Sequence, residues 1–64
     1  MYLNIKRLEK LREGYDENVR VFAERINISH AAYYFFINGE RVPTLDTITK
    51  IGNALGIDPK TLIV

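Results

Sequence analysis

Helix-capping and helix-stopping residues follow one another so closely along this chain that no long helix can form. Asn4, Asn18, Ser29, Thr44 and Asp58 each stand just before an apolar-periodic stretch. A short polar side chain there satisfies the free backbone N–H groups of a first helical turn. Gly14, Gly39 and Gly56 close three of those stretches, where glycine enters the left-handed conformation of a C-terminal cap. Pro59 follows Asp58 at a first helical position, where its missing N–H has no intrahelical partner to lose.

Between these marks the apolar residues keep a helical period. Ile5, Leu8 and Leu11 share one face, and Leu3 and Leu8 have the spacing of a hydrophobic staple around Asn4. Val19, Phe22, Ala23 and Ile26 fall at i, i+3, i+4 and i+7, and Ala23 is small enough to let another helix approach closely. Leu45, Ile48, Ile51 and Leu55 make a third stripe, and "DPKTLIV" reads as a short apolar helix at the end. Gly52 interrupts the fourth helix at a cost of about 1 kcal/mol relative to alanine, so packing is its expected role. No stretch has the alternation and turn chemistry of a β-hairpin. The expectation is an all-α, compact five-helix bundle forming a single domain over residues 1–64.

A chain of 64 residues buries only about 60% of its unfolded surface. It has no cysteine, so neither a disulfide nor a thiolate metal site supports so small a core. Nine Lys/Arg against eight Asp/Glu leave a formal charge of +1, which neither supports nor excludes nucleic acid; the placement of the charges decides. Charges in "YLNIKRLEKL" interrupt any apolar run, so the chain has no signal core or membrane span and a cytoplasmic location is expected. His30 is the sole histidine and lacks companions at ligand spacing. Asp16 and Glu17 are adjacent and point apart, and no glycine-rich phosphate loop exists. The expectation is a chain that is not an enzyme, with no catalytic residues, no metal and no cofactor.

The second and third helices carry the functional signal. A connection of about three residues joins them, as in a sharp helix-turn-helix crossing over roughly residues 19–38. Ala23 is the small residue at the crossing, Ile28 the apolar residue of the turn, and Ser29–Asn38 the short second helix. The stretch "ISHAAYYFFINGERVP" places four consecutive aromatics on that helix. On a helix begun at Ser29, Tyr33, Phe36 and Ile37 share the core face, while His30, Ala31, Tyr34, Phe35 and Asn38 share the other. Large aromatics clustered toward water mark an interaction surface.

At this point the segment "VFAERINISHAAYYFFINGERVPTLDTITKIGNALGIDPKTLIV" resembles the helix-turn-helix domain of Cro and phage-repressor type, in the lambda-repressor-like superfamily (XRE family). Phe22-Ala23 stands where that family has Leu-Ala, and Asn27-Ile28-Ser29 resembles its Gly-Val-Ser turn. Gly39, Pro43 and Leu55-Gly56-Ile57 fall where it has Gly, Pro and Leu-Gly-Val, and "LEKLRE" resembles its first helix. The resemblance implies a repressor of phage, plasmid or mobile-element type that binds operator double-stranded DNA as a homodimer, with helix 29–38 in the major groove. The positions carried over for DNA contact are Asn18, Arg20, Ser29, His30, Ala31, Tyr34, Phe35, Asn38 and Arg41. The family's pairing through its C-terminal end implies a dimer seam at Leu62, Ile63 and Val64.

Three departures matter. No Arg or Lys lies between Ser29 and Asn38, so the third helix itself can offer no bidentate arginine to guanine. Apolar contact of Ala31 or Phe35 with thymine methyls, a Tyr34 hydroxyl bond and a His30 donor remain. Val19 stands where the family commonly has glutamine. Ile37 replaces the glutamate that usually pairs with the helix-one arginine, leaving Arg12 without that partner. The competing reading is a protein-interaction module on the same fold, with Tyr34 and Phe35 docking an anti-repressor or a toxin.

Overall fold

A computed structural model describes residues 2–64, so of the expected domain only Met1 lies outside the described residues. The chain forms α1 (Ile5–Gly14), α2 (Val19–Arg25), α3 (His30–Ile37) and α4 (Leu45–Leu55), followed by a 3-10 turn (Pro59–Leu62). The fifth expected helix is therefore a single tight turn. Asp58 caps it and Pro59 opens it, but Ile63 is already extended and bridges antiparallel to Leu3. Asn4 N–H donates to the Leu62 carbonyl (2.6 Å) and Val64 N–H to the Tyr2 carbonyl (2.8 Å). Tying the two ends of the chain together leaves no room for a full α-turn after Pro59.

Every expected N-cap holds. The side chains of Asn4, Asn18, Ser29 and Thr44 accept from the backbone N–H three residues on, and Asp58 from that of Lys60. The C-terminal ends differ in one respect. All four α-helices close with a left-handed residue, but only two of the four are glycine: Asp16 (φ 55°), Asn27 (φ 62°), Gly39 (φ 75°) and Gly56 (φ 68°). Gly14 stays inside α1, and Asp16 makes the reversal instead. At each end the following N–H reaches back over a turn, from Glu17 to Arg12, Ile28 to Ala23, Glu40 to Phe35 and Ile57 to Gly52. Asp and Asn tolerate this conformation better than other side-chain residues.

The core is Leu3, Leu8, Phe22, Ala23, Ile26, Tyr33, Ile48, Ile51, Leu55 and Leu62. Ile5, Leu11, Val19, Phe36 and Ile37 pack against it half-buried. Leu45, expected in the core, is 52% exposed, because the buried stripe of α4 begins one turn later, at Ile48. Gly52 does have a packing role. A Cβ there would lie 2.8 Å from Pro59 Cγ and 2.9 Å from its Cα, so bare backbone lets the 3-10 turn sit directly on α4.

Arg12, without the family's glutamate at position 37, finds other partners. Its guanidinium donates to Glu9 Oε2 (2.9 and 2.7 Å) and to the Glu17 carbonyl (2.8 Å). The i, i+3 spacing of Glu9 and Arg12 carries that signal in the sequence. Glu9 offers its other oxygen to the Tyr33 hydroxyl at 3.0 Å, which joins α1 to α3.

Candidate nucleic-acid interface

The position of α3 follows from the way α2 stops. Asn27 N–H donates to the Glu24 carbonyl (3.1 Å) and Ile28 N–H to the Ala23 carbonyl (3.0 Å). With Asn27 left-handed, the chain reverses in one step and Ser29 caps the next helix, accepting from Ala32 N–H at 3.1 Å. Asn27 thus performs the conformational task of a turn glycine.

Tyr33 anchors the helix. Its ring is buried edge-on against Phe22, with centroids 5.9 Å apart at 89°, a favoured aromatic arrangement. Its hydroxyl, the one polar atom of the side chain, is satisfied by Glu9. Burial, and then the neighbouring Glu9 carboxylate, push the Tyr33 phenol well above its ordinary value. Phe36 and Ile37, on the same side, are half-buried against the core.

The opposite face carries His30, Ala31, Tyr34 and Asn38, all exposed. Tyr34, at 49% exposure, is its largest open side chain. Tyr33 and Tyr34 therefore divide as the helical period requires, one into the core and one toward a partner. Phe35 departs from the open placement expected of it: it is half-buried, and the Arg41 guanidinium carbon lies 4.6 Å from its ring centroid. Gly39 reverses the chain, and Glu40 and Arg41 both donate backbone N–H to the Phe35 carbonyl (2.9 and 3.3 Å). The loop after α3 is folded back onto the residue its arginine covers.

The other expected contact residues lie on α2, at the helix caps and in the loop after α3. Arg20 is exposed on the first turn of α2. Asn18 and Ser29 spend a side-chain oxygen on capping, leaving the Asn18 amide NH₂ and the Ser29 hydroxyl proton as donors. Among the described residues the ion pairs are Arg12–Glu9 and Arg25–Glu17, so Arg20 and Arg41 carry charges outside them. Arg25 is spent otherwise, bonding Glu17 at 2.7 and 3.0 Å and lying 4.2 Å over the Tyr15 ring. Its hydrogen bonds hold the Glu17 carboxyl below the ordinary carboxylate value.

The expected dimer seam is corrected at one position. Leu62 is completely buried within its own chain, because the 3-10 turn rotates it into the core. Ile63 is half-buried and Val64 is 74% exposed. No group of three or more His, Cys, Asp or Glu among the described residues is placed to hold a metal ion. Among the described residues no helix is long and apolar enough to cross a membrane.

In comparison with known families, the family model described as helix-turn-helix matches residues 8–62. No curated protein and no solved structure matches the chain.

Proposed function

Given that this chain belongs to the helix-turn-helix family of Cro and phage-repressor type, whose members are DNA-binding transcription regulators, we propose that it is a repressor of phage, plasmid or mobile-element type. It binds operator DNA as a homodimer in the cytoplasm, with α3 in the major groove. The observation that carries this reading is the exposed His30, Ala31, Tyr34 and Asn38 face of a helix anchored by the buried Tyr33, with Arg20 and Arg41 outside the ion pairs of the described residues. His30, Ala31 and Tyr34 meet base edges; Asn18, Arg20, Ser29, Asn38 and Arg41 meet the sugar–phosphate backbone.

Size supports the dimer. The longest extent of the chain is 27 Å, whereas equivalent major-groove surfaces recur about 34 Å apart along one face of a duplex. One copy reaches one half-site; a two-fold pair reaches both. Ile63 and Val64 supply apolar surface for the pairing.

Binding-site selection on random duplex DNA, followed by a salt titration of the selected site, tests the reading. Arg20→Ala with Arg41→Ala removes two phosphate contacts, so the slope of log affinity against log salt falls by about 2. An unchanged affinity and slope would refute the assignment of those contacts. A second reading is favoured by one observation: α3 carries no Lys or Arg, yet Tyr34 lies open on it. In that reading the aromatic face docks a protein, such as an anti-repressor or a toxin. A purified chain that selects no duplex sequence and shows no salt-dependent DNA binding favours it.

A further inference from the structure

α3 has no cation of its own from His30 to Ile37, and a helix without cations is poorly suited to a polyanion. The fold brings one back. The left-handed Gly39 turns the chain, and Glu40 and Arg41 both bond the Phe35 carbonyl. The Arg41 guanidinium then lies over the Phe35 ring at 4.6 Å. Phe35, on the reading side of the helix, is half-buried under it.

We propose that Phe35 is a positioning residue for DNA binding: its ring holds the Arg41 guanidinium beside α3, ready to grip a backbone phosphate. The inference rests on the DNA reading above. The chemistry permits both contacts at once. A guanidinium stacks through its planar face, whereas its N–H donors lie in the plane and point outward at the edge. Stacking on Phe35 therefore leaves a fork of donors for two phosphate oxygens, and it reduces the freedom that Arg41 must lose on binding. This changes the role assigned to Phe35, which acts through Arg41 in place of touching a base. Ala31 remains for apolar contact with a thymine methyl, and Tyr34 for its hydroxyl bond.

The test is a double-mutant cycle with Phe35→Leu, Arg41→Ala and the double variant, each checked for helicity by circular dichroism. Affinity is measured on two probes: a labelled mixed-sequence duplex, and the duplex obtained by selection. A cation–π contact of this exposure corresponds to about a 2- to 5-fold change in affinity. Phe35→Leu, which keeps apolar bulk without a π face, loses that factor on both probes. It loses nothing further once Arg41 is alanine. Phe35→Trp, which keeps a π face, retains the parental affinity. In the free protein, the Arg41 side-chain methylene protons show an upfield ring-current shift by NMR that Phe35→Leu abolishes.

Losses that add in the double variant overturn the inference and leave the DNA reading standing, as does a Phe35→Leu effect confined to the selected sequence. So does a Phe35→Trp variant that behaves like Phe35→Leu. A parent protein that binds neither duplex removes the DNA reading and the inference together, even if the ring-current shift is present.

Discussion

Replacing Gly52 with alanine, beside the same change at Gly14, asks whether close approach of α4 and the C-terminal turn holds this small core together. Both glycines are helical, so each substitution gains about 1 kcal/mol of helix propensity. Their surroundings differ. A Cβ at Gly14 would meet nothing within 4 Å, whereas at Gly52 it would lie 2.8 Å from Pro59 Cγ, 2.9 Å from its Cα and 3.0 Å from its N. Two of those three atoms are backbone, so the 3-10 turn must move as a unit, taking Leu62 and the Leu3–Ile63 bridge with it. Overpacking of this kind costs about 3 kcal/mol at the upper end of its usual range. Less the propensity gain, Gly52→Ala destabilises by about 2 kcal/mol, and Gly14→Ala stabilises by about 1 kcal/mol. For a domain this small that is a fall in Tm of about 8–16 °C and a rise of about 4–8 °C, respectively. Thermal and urea unfolding followed by circular dichroism measure both. A Gly52→Ala protein as stable as the parent would refute the close-approach argument. A destabilised Gly14→Ala protein would show that Gly14 has a conformational role after all.

Two further outcomes follow from the site. The Tyr33 phenol is raised by burial and by Glu9, so its neutral form contributes stability that is fully present below the unfolded tyrosine value near 10 and is lost as the pH climbs above it. From pH 10 to pH 11 that loss is about 1 kcal/mol, measured by urea unfolding at each pH; Tyr33→Phe removes this part of the alkaline decline, and an equal decline in both proteins would contradict it. If Ala31 reads a thymine methyl, deoxyuridine in place of thymidine in the selected duplex weakens binding by about fourfold per buried methyl, or 0.8 kcal/mol, without altering the salt slope. Equal affinity for the two duplexes, measured by fluorescence anisotropy, would sink methyl readout.

The N-terminal ends of the helices were legible in the sequence because a cap is a local contract. Asn4, Asn18, Ser29, Thr44 and Asp58 each bond a backbone N–H two or three residues away, and nothing distant is needed to satisfy it. The split of Tyr33 and Tyr34 between core and surface was legible for a similar reason, since the helical period alone assigns neighbours to different faces. C-terminal reversals were less so. Several residue types can turn left-handed, and glycine content alone pointed to Gly14 where Asp16 makes the turn.

What only the tertiary structure decided are the contacts between groups far apart along the chain. The Tyr33–Glu9 bond spans 24 residues, and the Leu3–Ile63 bridge joins opposite ends of the chain. Neither has a periodic pattern that announces it. The bridge fixes why the last helical element is one tight turn with Leu62 facing inward, and the Pro59 contact fixes why Gly52 has no side chain. The covering of Phe35 by Arg41 belongs here too: residues and spacing put both near the end of α3, but only the folded loop lays the cation across the ring. Local hydrogen bonds form within a turn of chain and so are written in it; packing between segments depends on where the whole body brings them.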